Sequence, residues 1–412
     1  MLKRIGVHQL ILGMYLKEFC GSWMEHPFWR SGFVLVDSKD LDAILASSIK
    51  EVWIDSSRGL DVPTTQTAVL EAESEADVEA TLTRVSPGRE AMAPVSVEQE
   101  MARAAKICSQ AKQAMVTMFE EVRMGNAVDA DGAKQLVEEI SDSVTRNPSA
   151  LISLARLKTA DDYTYMHSVA VCAMMVALAR QLGLDEARTR SAGMAGLLHD
   201  VGKAVMPQEV LNKPGKLSAA EFAVIKSHPE EGYRMLLKSE SIDAIALDVC
   251  LHHHEKIDGS GYPKGLKGDD ISLLAKMGAV CDVYDAITSN RPYKPGWDPA
   301  ESLRKMAEWS KGHFDPLVFQ AFVKSIGIYP VGSLVLLSSG RIGVVTEQAL
   351  SSLIMPRVKV FFSTKSGMRI PPEVLDLSRH DSAERIVGRE DPDKWGFPDL
   401  NLLWSGVDIA RH

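Results

Sequence analysis

Excess positive charge, paired cysteines and long apolar runs are all missing from this chain of 412 residues. Its 46 Lys and Arg stand against 55 Asp and Glu, a formal net charge of −9. That balance gives no general affinity for nucleic acid or anionic membrane, so an anionic ligand would need a local basic patch. The five cysteines, Cys20, Cys108, Cys172, Cys250 and Cys281, are widely spaced and form no paired motif. A disulfide framework and a thiolate metal cluster are both excluded. Three of these cysteines fall in predicted core helices, where free Cys acts as a small apolar residue, and a reducing cytoplasm is the expected setting. The longest apolar stretch, Val169 to Ala179, is far short of the roughly 20 residues a bilayer span needs and reads as a buried helix. Nor does the start, Met1 to His8, carry the apolar run of a secretion signal. Internal repeats and low-complexity tracts are absent. The expectation is a protein that is not transmembrane and binds no DNA or RNA.

What is present is the composition of a globular protein, 45% hydrophobic and 25% charged, long enough for two or three domains. Residues 1–65 read as a small α/β module. Short strands are predicted at Met14–Leu16, Gly32–Val36 and Glu51–Asp55, with a helix from Ser38 to Ser48 capped by Ser38. Trp23, Phe28 and Trp29 are candidates for its core or, less economically, for a ligand platform. In 66–96, Glu71, Glu73, Glu75, Asp77 and Glu79 alternate with small residues before Pro87-Gly88 and Pro94, the pattern of an acidic linker. Residues 97–327 read as a helical domain. Its leading helix, about 97–123, carries a stripe from Met101 to Phe119 that suits either packing on the core or a homodimer stalk. Helices follow at roughly 129–146, 148–157, 162–182, 185–198, 229–238, 242–254, 271–289, 299–309 and 315–325, and Ser218 to Glu221 is a capping box. After Gly327 the period changes to that of strands, with a hairpin turn at Ser339-Gly340, so 328–412 read as a small β appendix with a polar tail.

Six of the chain's 11 histidines fall between 167 and 254: His167, His199, His228, His252, His253 and His254. They sit in apolar, periodic segments, together with Asp200 and with the pair Asp282 and Asp285 on a later helix. Isolated buried polar groups are costly, so imidazoles and carboxylates gathered at core helices point to divalent cations. The donors outnumber what one tetrahedral site can use, and two sites are expected. A carboxylate directly after a histidine can bridge two ions. Such a pair activates a water and grips phosphoryl oxygens, the chemistry of phosphate ester hydrolysis.

His199-Asp200-Val201-Gly202-Lys203 resembles the signature of the HD phosphohydrolase superfamily. His253-His254-Glu255-Lys256-Ile257-Asp258-Gly259-Ser260-Gly261-Tyr262-Pro263 resembles the hallmark of its HD-GYP branch. Tyr163-Thr164 before His167, His228-Pro229-Glu230, Asp282-Val283-Tyr284-Asp285-Ala286 and Arg291-Pro292-Tyr293-Lys294 extend the pattern. The first module is similar to a small domain of unknown function that precedes this core in one subgroup. The resemblance implies an all-α HD-type metal-dependent phosphohydrolase core between the α/β module and the β-rich appendix. It also implies a phosphodiesterase that opens the bacterial second messenger cyclic di-GMP to linear pGpG, with a slow further step to GMP.

Carried over by residue, the resemblance implies metal ligands at His167, His199, Asp200, His228, His253, His254 and Asp282. Asp200 would bridge, with His167, His199 and Asp282 around one ion and His228, His253 and His254 around the other. The ions would be iron or manganese, with nickel or zinc also compatible with this donor set. Lys203 would reach a phosphate oxygen or the leaving 3′ oxygen, and Arg291 and Lys294 would hold the substrate phosphates. Gly261 would help shape a tight turn and allow close approach to the substrate, and Tyr262 would meet a guanine. Asp285 would either meet the guanine edge or orient a ligand. Glu255 would orient a ligand histidine, Asp258 would shape the turn, and His252 has no place in the pattern. Some family members carry a glutamate four residues before the first histidine and bind a third metal; Tyr163 stands there in this chain. Two other readings stay open: an HD phosphohydrolase for another nucleotide or linear phosphodiester, and a sensor that binds the dinucleotide and signals through the small domain or a protein partner.

Overall fold

The computed structural model describes all residues except 21–31, 48, 64–67, 84–94, 158–162, 212, 214–216, 240, 290–295, 350–351, 380–381 and 407–412. Trp23, Phe28, Trp29, Arg291 and Lys294 therefore lie outside the described residues.

The chain begins with a strand that sequence reasoning passed over. β1 (Leu2–Gly6) pairs antiparallel with β4 (Glu51–Asp55) and β5 (Val69–Leu70). β2 (Tyr15–Cys20) and β3 (Phe33–Val34) complete a sheet of order β3-β2-β4-β1-β5. Ile5, Leu16, Val52 and Ile54 alternate onto one face, where α1 (Ser38–Leu45) buries Ile44 against them. Asp37, not Ser38, caps α1: its carboxylate accepts from the Lys39 N–H. The supposed linker is also corrected for part of its length. Residues 69–83 form β5 and α2 (Glu71–Thr83). Glu and Ala favour a helix, and Ser74, Val78 and Leu82, four apart, supply a narrow stripe that packs on the main core.

The helical body starts at α3 (Val97–Arg123), whose Ser96–Gln99 capping box fixes its first turn. Its apolar stripe faces inward: Met101, Ala104, Ile107, Ala111, Met115, Phe119 and Val122 are buried in this chain's own core. The stripe thus carries no argument for a homodimer stalk. α4 (Ala130–Arg146), α5 (Pro148–Arg156), α6 (Tyr163–Gln181) and α7 (Glu186–Leu198) follow, α7 capped by Asp185 as expected. α6 is buried on every side from Met166 to Ala179, which explains the apolar run. Short α8 (Gln208–Leu211) and α9 (Ala219–Ile225) lead to α10 (His228–Leu236), α11 (Ala244–His252) and α12 (Leu273–Thr288). α13 (Pro299–His313) kinks at Lys311 and Gly312, and α14 (Pro316–Ile326) closes the body. No described helix is long and apolar enough to cross a membrane.

A second antiparallel sheet, order β10-β6-β7-β8-β9, is made of β6 (Leu334–Leu337), β7 (Arg341–Ala349), β8 (Ser352–Ser363), β9 (Met368–Asp376) and β10 (Ile386–Arg389). Gly340, at φ +80°, makes the expected hairpin turn. The polar tail is corrected too. Beyond β10, α15 (Pro392–Trp395) and α16 (Leu400–Ser405) fold back, and Trp404 enters the main core.

Candidate metal centre

Five segments deliver the donors to one place. His167 lies in the first turns of α6, His199 ends α7, and Asp200 opens the 3₁₀ turn Val201–Val205. His228 begins α10, His253 and His254 follow α11, and Asp282 and Asp285 share a face of α12. Small residues let these segments close. A Cβ on Gly196 of α7 would sit 2.9 Å from the Cys172 Cα of α6. One on Gly202 would sit 2.0 Å from the His228 carbonyl oxygen.

Four imidazoles are oriented in the same way. Nδ1 of His199 donates to the Gly196 carbonyl (2.8 Å), that of His228 to Ile225 (2.7 Å), and that of His253 to Cys250 (3.0 Å). A carbonyl can only accept, so the proton sits on Nδ1 and Nε2 keeps its lone pair. His167 donates from Nδ1 to Asp285 Oδ2 at 2.6 Å. The Nε2 atoms converge on Asp200. His167 and His199 lie 3.4 and 3.3 Å from Oδ2, while His228 and His253 lie 3.1 and 3.7 Å from Oδ1. Asp282 spans the centre likewise, with Oδ1 3.0 Å from His167 Nε2 and Oδ2 3.7 Å from His254 Nδ1.

This donor set fits metal ions. Among the described residues, three triads each bring their donor atoms within 4.8 Å of one another: His167, His199 and Asp282; His228, His253 and His254; and His199, Asp200 and His253. His199 Nε2, Asp200 Oδ1 and Asp282 Oδ2 are buried and make no hydrogen bond. Buried polar atoms without partners are costly, and a cation is the partner these would take. Burial would raise the Asp200 carboxyl, yet Lys203 and His199 hold it well below the usual range. Asp282 is lowered against the same burial, chiefly by His167 and His254. Burial and neighbouring imidazoles press His253 down to about 3 and lower His254 as well. Anionic carboxylates and neutral imidazoles are the forms that ligate. His167 differs: burial lowers it, but Asp200, Asp282 and Asp285 overcome that and bring it to about 9. Three carboxylates around one ring favour positive charge at that point.

Residues 139–318 match the HD domain family, and residues 2–133 match a domain of unknown function, DUF3391. Over 408 residues, 99% of this chain and 96% of the relative, the chain is 56% identical to the cyclic di-GMP phosphodiesterase PA4108 of Pseudomonas aeruginosa. The chain belongs to the HD-GYP family. Two further relatives share part of it. The cyclic di-GMP phosphodiesterase response regulator RpfG of Xanthomonas campestris is 45% identical over 36% of this chain and 39% of its own length. The 3′3′-cGAMP-specific phosphodiesterase 1 of Vibrio cholerae is 36% identical over 40% of this chain and 38% of its own length.

Beside the HD-GYP loop, Asp258 to Pro263, the structure departs from expectation at Glu255. Glu255 orients no histidine: its two oxygens accept from the Lys264 and Leu266 N–H groups at 2.7 and 3.0 Å, which folds the loop back. Gly261 is required by the chain itself, since a Cβ there would lie 2.4 Å from the Lys256 nitrogen and 2.6 Å from the His254 oxygen. The Tyr262 ring stacks on His254 (4.6 Å between centroids) and carries the Lys226 ammonium 4.6 Å from its centre. Asp285 is buried and bonds His167 Nδ1, the arrangement of the ligand-orienting alternative. Asp258 shapes the turn as expected, accepting from Ser260 N and Oγ. Lys203 Nζ lies 2.5 Å from Asp200 Oδ2, at the centre's edge. His252 points away to Asp248, and Tyr163 stacks on His167. Sequence reasoning missed Lys226. Its spacing two residues before His228 was the available signal.

Proposed function

We propose that this HD-GYP protein hydrolyses cyclic di-GMP to linear pGpG with two divalent ions per chain, and converts pGpG to GMP slowly. The observation that supports this best is the division of Asp200 between two histidine pairs, one on each carboxylate oxygen. His167, His199 and Asp282 would hold one ion and His228, His253 and His254 the other, with iron or manganese the best match to the donors. When bound, such a pair lowers the pKa of a water and draws charge from the phosphoryl oxygens. The chain's residues do the rest. Asp285 and the helix-end carbonyls hold His167, His199, His228 and His253 in their ligating tautomer. Lys203 sets one ammonium beside Asp200 to neutralise a phosphoryl oxygen. Arg291 and Lys294 supply the remaining cationic grip on the substrate phosphates.

Turnover of cyclic di-GMP, 3′3′-cGAMP, pGpG and a chromogenic phosphodiester, measured beside metal content, tests the reading. Cyclic di-GMP should be cleaved fastest and yield pGpG first. Binding without cleavage by metal-loaded protein would instead make the chain a sensor, and preference for 3′3′-cGAMP would move the specificity to the second cyclic dinucleotide found among its relatives.

A further inference from the structure

The N-terminal domain grips the helical body at two points, and both lead to the HD-GYP loop. The first is α13. Trp53 Nε1 of β4 donates to Glu308 Oε1 at 2.5 Å in a buried setting, and Arg4 of β1 approaches the same carboxylate at 3.9 Å. One turn earlier, Lys305 pairs with Glu18 of β2 at 2.7 Å, and at the far end Lys311 pairs with Asp77 of α2 at 2.8 Å. Just past Lys311 the helix breaks at Gly312, φ +89°, and the broken turn carries the start of the loop. Ile257 N donates to the His313 carbonyl (3.3 Å) and Asp258 N to the Gly312 carbonyl (3.1 Å). A Cβ on Gly312 would lie 3.1 Å from Asp258 Oδ2, so the contact is close.

The second point is direct. Lys50, immediately before β4, pairs its ammonium with Asp258 Oδ2, while Asp258 Oδ1 accepts from Ser260 N (2.9 Å) and Oγ (2.6 Å). From Ser260 the chain enters Gly261 and Tyr262, whose N–H donates to the His254 carbonyl at 3.2 Å and whose ring lies on His254. One carboxylate therefore joins the N-terminal domain to the turn that places Tyr262 at the metal centre.

We infer that the domain of unknown function positions the Asp258–Pro263 loop for the cyclic dinucleotide, with Lys50 as its positioning residue and Trp53–Glu308 as its anchor. The inference rests on the reading that this loop meets the cyclic dinucleotide. A shift of the N-terminal sheet on α13 would move Gly312 and Lys50 together, and so would reach substrate affinity without touching a metal ligand. The buried bonds at Glu308 resist such a shift far more than the exposed Lys50 pair does.

The test is made on the full, metal-loaded chain. Lys50→Ala should raise KM for cyclic di-GMP about threefold, within what an exposed ion pair supplies. Lys50→Glu, which sets two carboxylates against each other, should raise it about tenfold. In both, kcat should stay within twofold, with metal content and turnover of bis(p-nitrophenyl) phosphate unchanged, because that diester has no guanine for the loop to meet. Lys50→Arg should restore KM. Trp53→Phe should act in the same direction as Lys50→Ala. Hydrogen exchange of the Ser260 and Tyr262 amides should quicken in Lys50→Glu, a readout that needs no substrate. Unchanged KM together with unchanged exchange in Lys50→Glu would overturn the inference, as would an equal loss on both substrates. If the wild type left cyclic di-GMP intact, the functional reading would fall, and the exchange rates alone would then decide the coupling.

Discussion

Gly202 and Gly232 meet backbone to backbone beside the metal centre. A Cβ on Gly202 would lie 2.5 Å from the Gly232 nitrogen and 2.0 Å from the His228 carbonyl oxygen, neither of which can swing aside. The turn that carries Asp200 is thereby seated directly on the first turn of α10, which carries His228. Gly202→Ala should force the two apart, at a cost of about 1–3 kcal/mol in stability. Because the separation falls between Asp200 Oδ1 and His228 Nε2, metal content should fall more than the melting temperature suggests. Denaturant unfolding and elemental analysis of the same sample check this. A variant with full metal and full activity would show that the turn can slide.

Asp285 tests whether ligand orientation matters as much as the ligands. It bonds His167 Nδ1 at 2.6 Å and carries the ring toward Asp200 and Asp282. Asp285→Ala should weaken metal affinity about 10- to 100-fold, the usual cost of losing such a partner. Asp285→Asn, which keeps an oxygen for the Nδ1 proton, should lose less. Competition with a chelator of known affinity measures both, and equal affinity in all three proteins would remove Asp285 from the metal centre.

The gathering of these imidazoles and carboxylates was legible in the sequence because their types and spacings have few other uses in apolar helices. The helices were legible from their 3.6-residue period and their caps, such as Asp185 and the Ser218–Glu221 box. What was not legible depended on distant partners. β1 looked like an unpatterned start because Lys3 and Arg4 occupy it, yet Arg4 is buried against Glu308, some 300 residues away. α2 hid its three-residue stripe among glutamates. Glu255 was assigned to a histidine because carboxylates commonly serve there, while the folded loop brings the N–H groups of Lys264 and Leu266 to it first. Gly261 was read both as shaping a tight turn and as room for a ligand, and the crowding of its own neighbours supports the first.

Asp298 gives the stability a pH dependence of known sign. It caps α13 by accepting from the Ala300 and Glu301 N–H groups, and burial pushes its carboxyl up from its ordinary 3.8 to about 6. A raised folded-state value means the folded protein holds the proton more tightly. The contribution is therefore fully present below the unfolded value and is lost as pH rises through the folded one. Over that window it amounts to about 3 kcal/mol at 1.36 kcal/mol per unit. Asp298→Asn keeps a capping oxygen and cannot titrate. Denaturant midpoints between pH 4 and 7 should fall less steeply with pH in the variant than in the wild type. Parallel profiles would show that Asp298 is solvated.

The number of ions turns on Tyr163. Its ring stacks on His167, 5.5 Å between centroids and 12° from parallel, so it occupies the flank of the ligand one helical turn before it. To act as a strong ligand the phenol would have to lose a proton of pKa about 10. A nearby cation pair lowers that value, but a ring is bulkier than a carboxylate and fills space that a third ion and its waters would need. Two ions per chain are therefore expected, and pGpG should accumulate before GMP. Tyr163→Glu replaces the ring with a shorter, ionised donor, one turn from His167 on the same helix face. It should add a third ion and speed the cleavage of pGpG, while the first cleavage changes little. Crystals of both proteins, examined by anomalous scattering at the metal edge, give the counts. Three fully occupied peaks in the wild-type centre would overturn the two-ion assignment whatever the kinetics showed. Two peaks in both proteins would instead place the limit on pGpG cleavage elsewhere in the site.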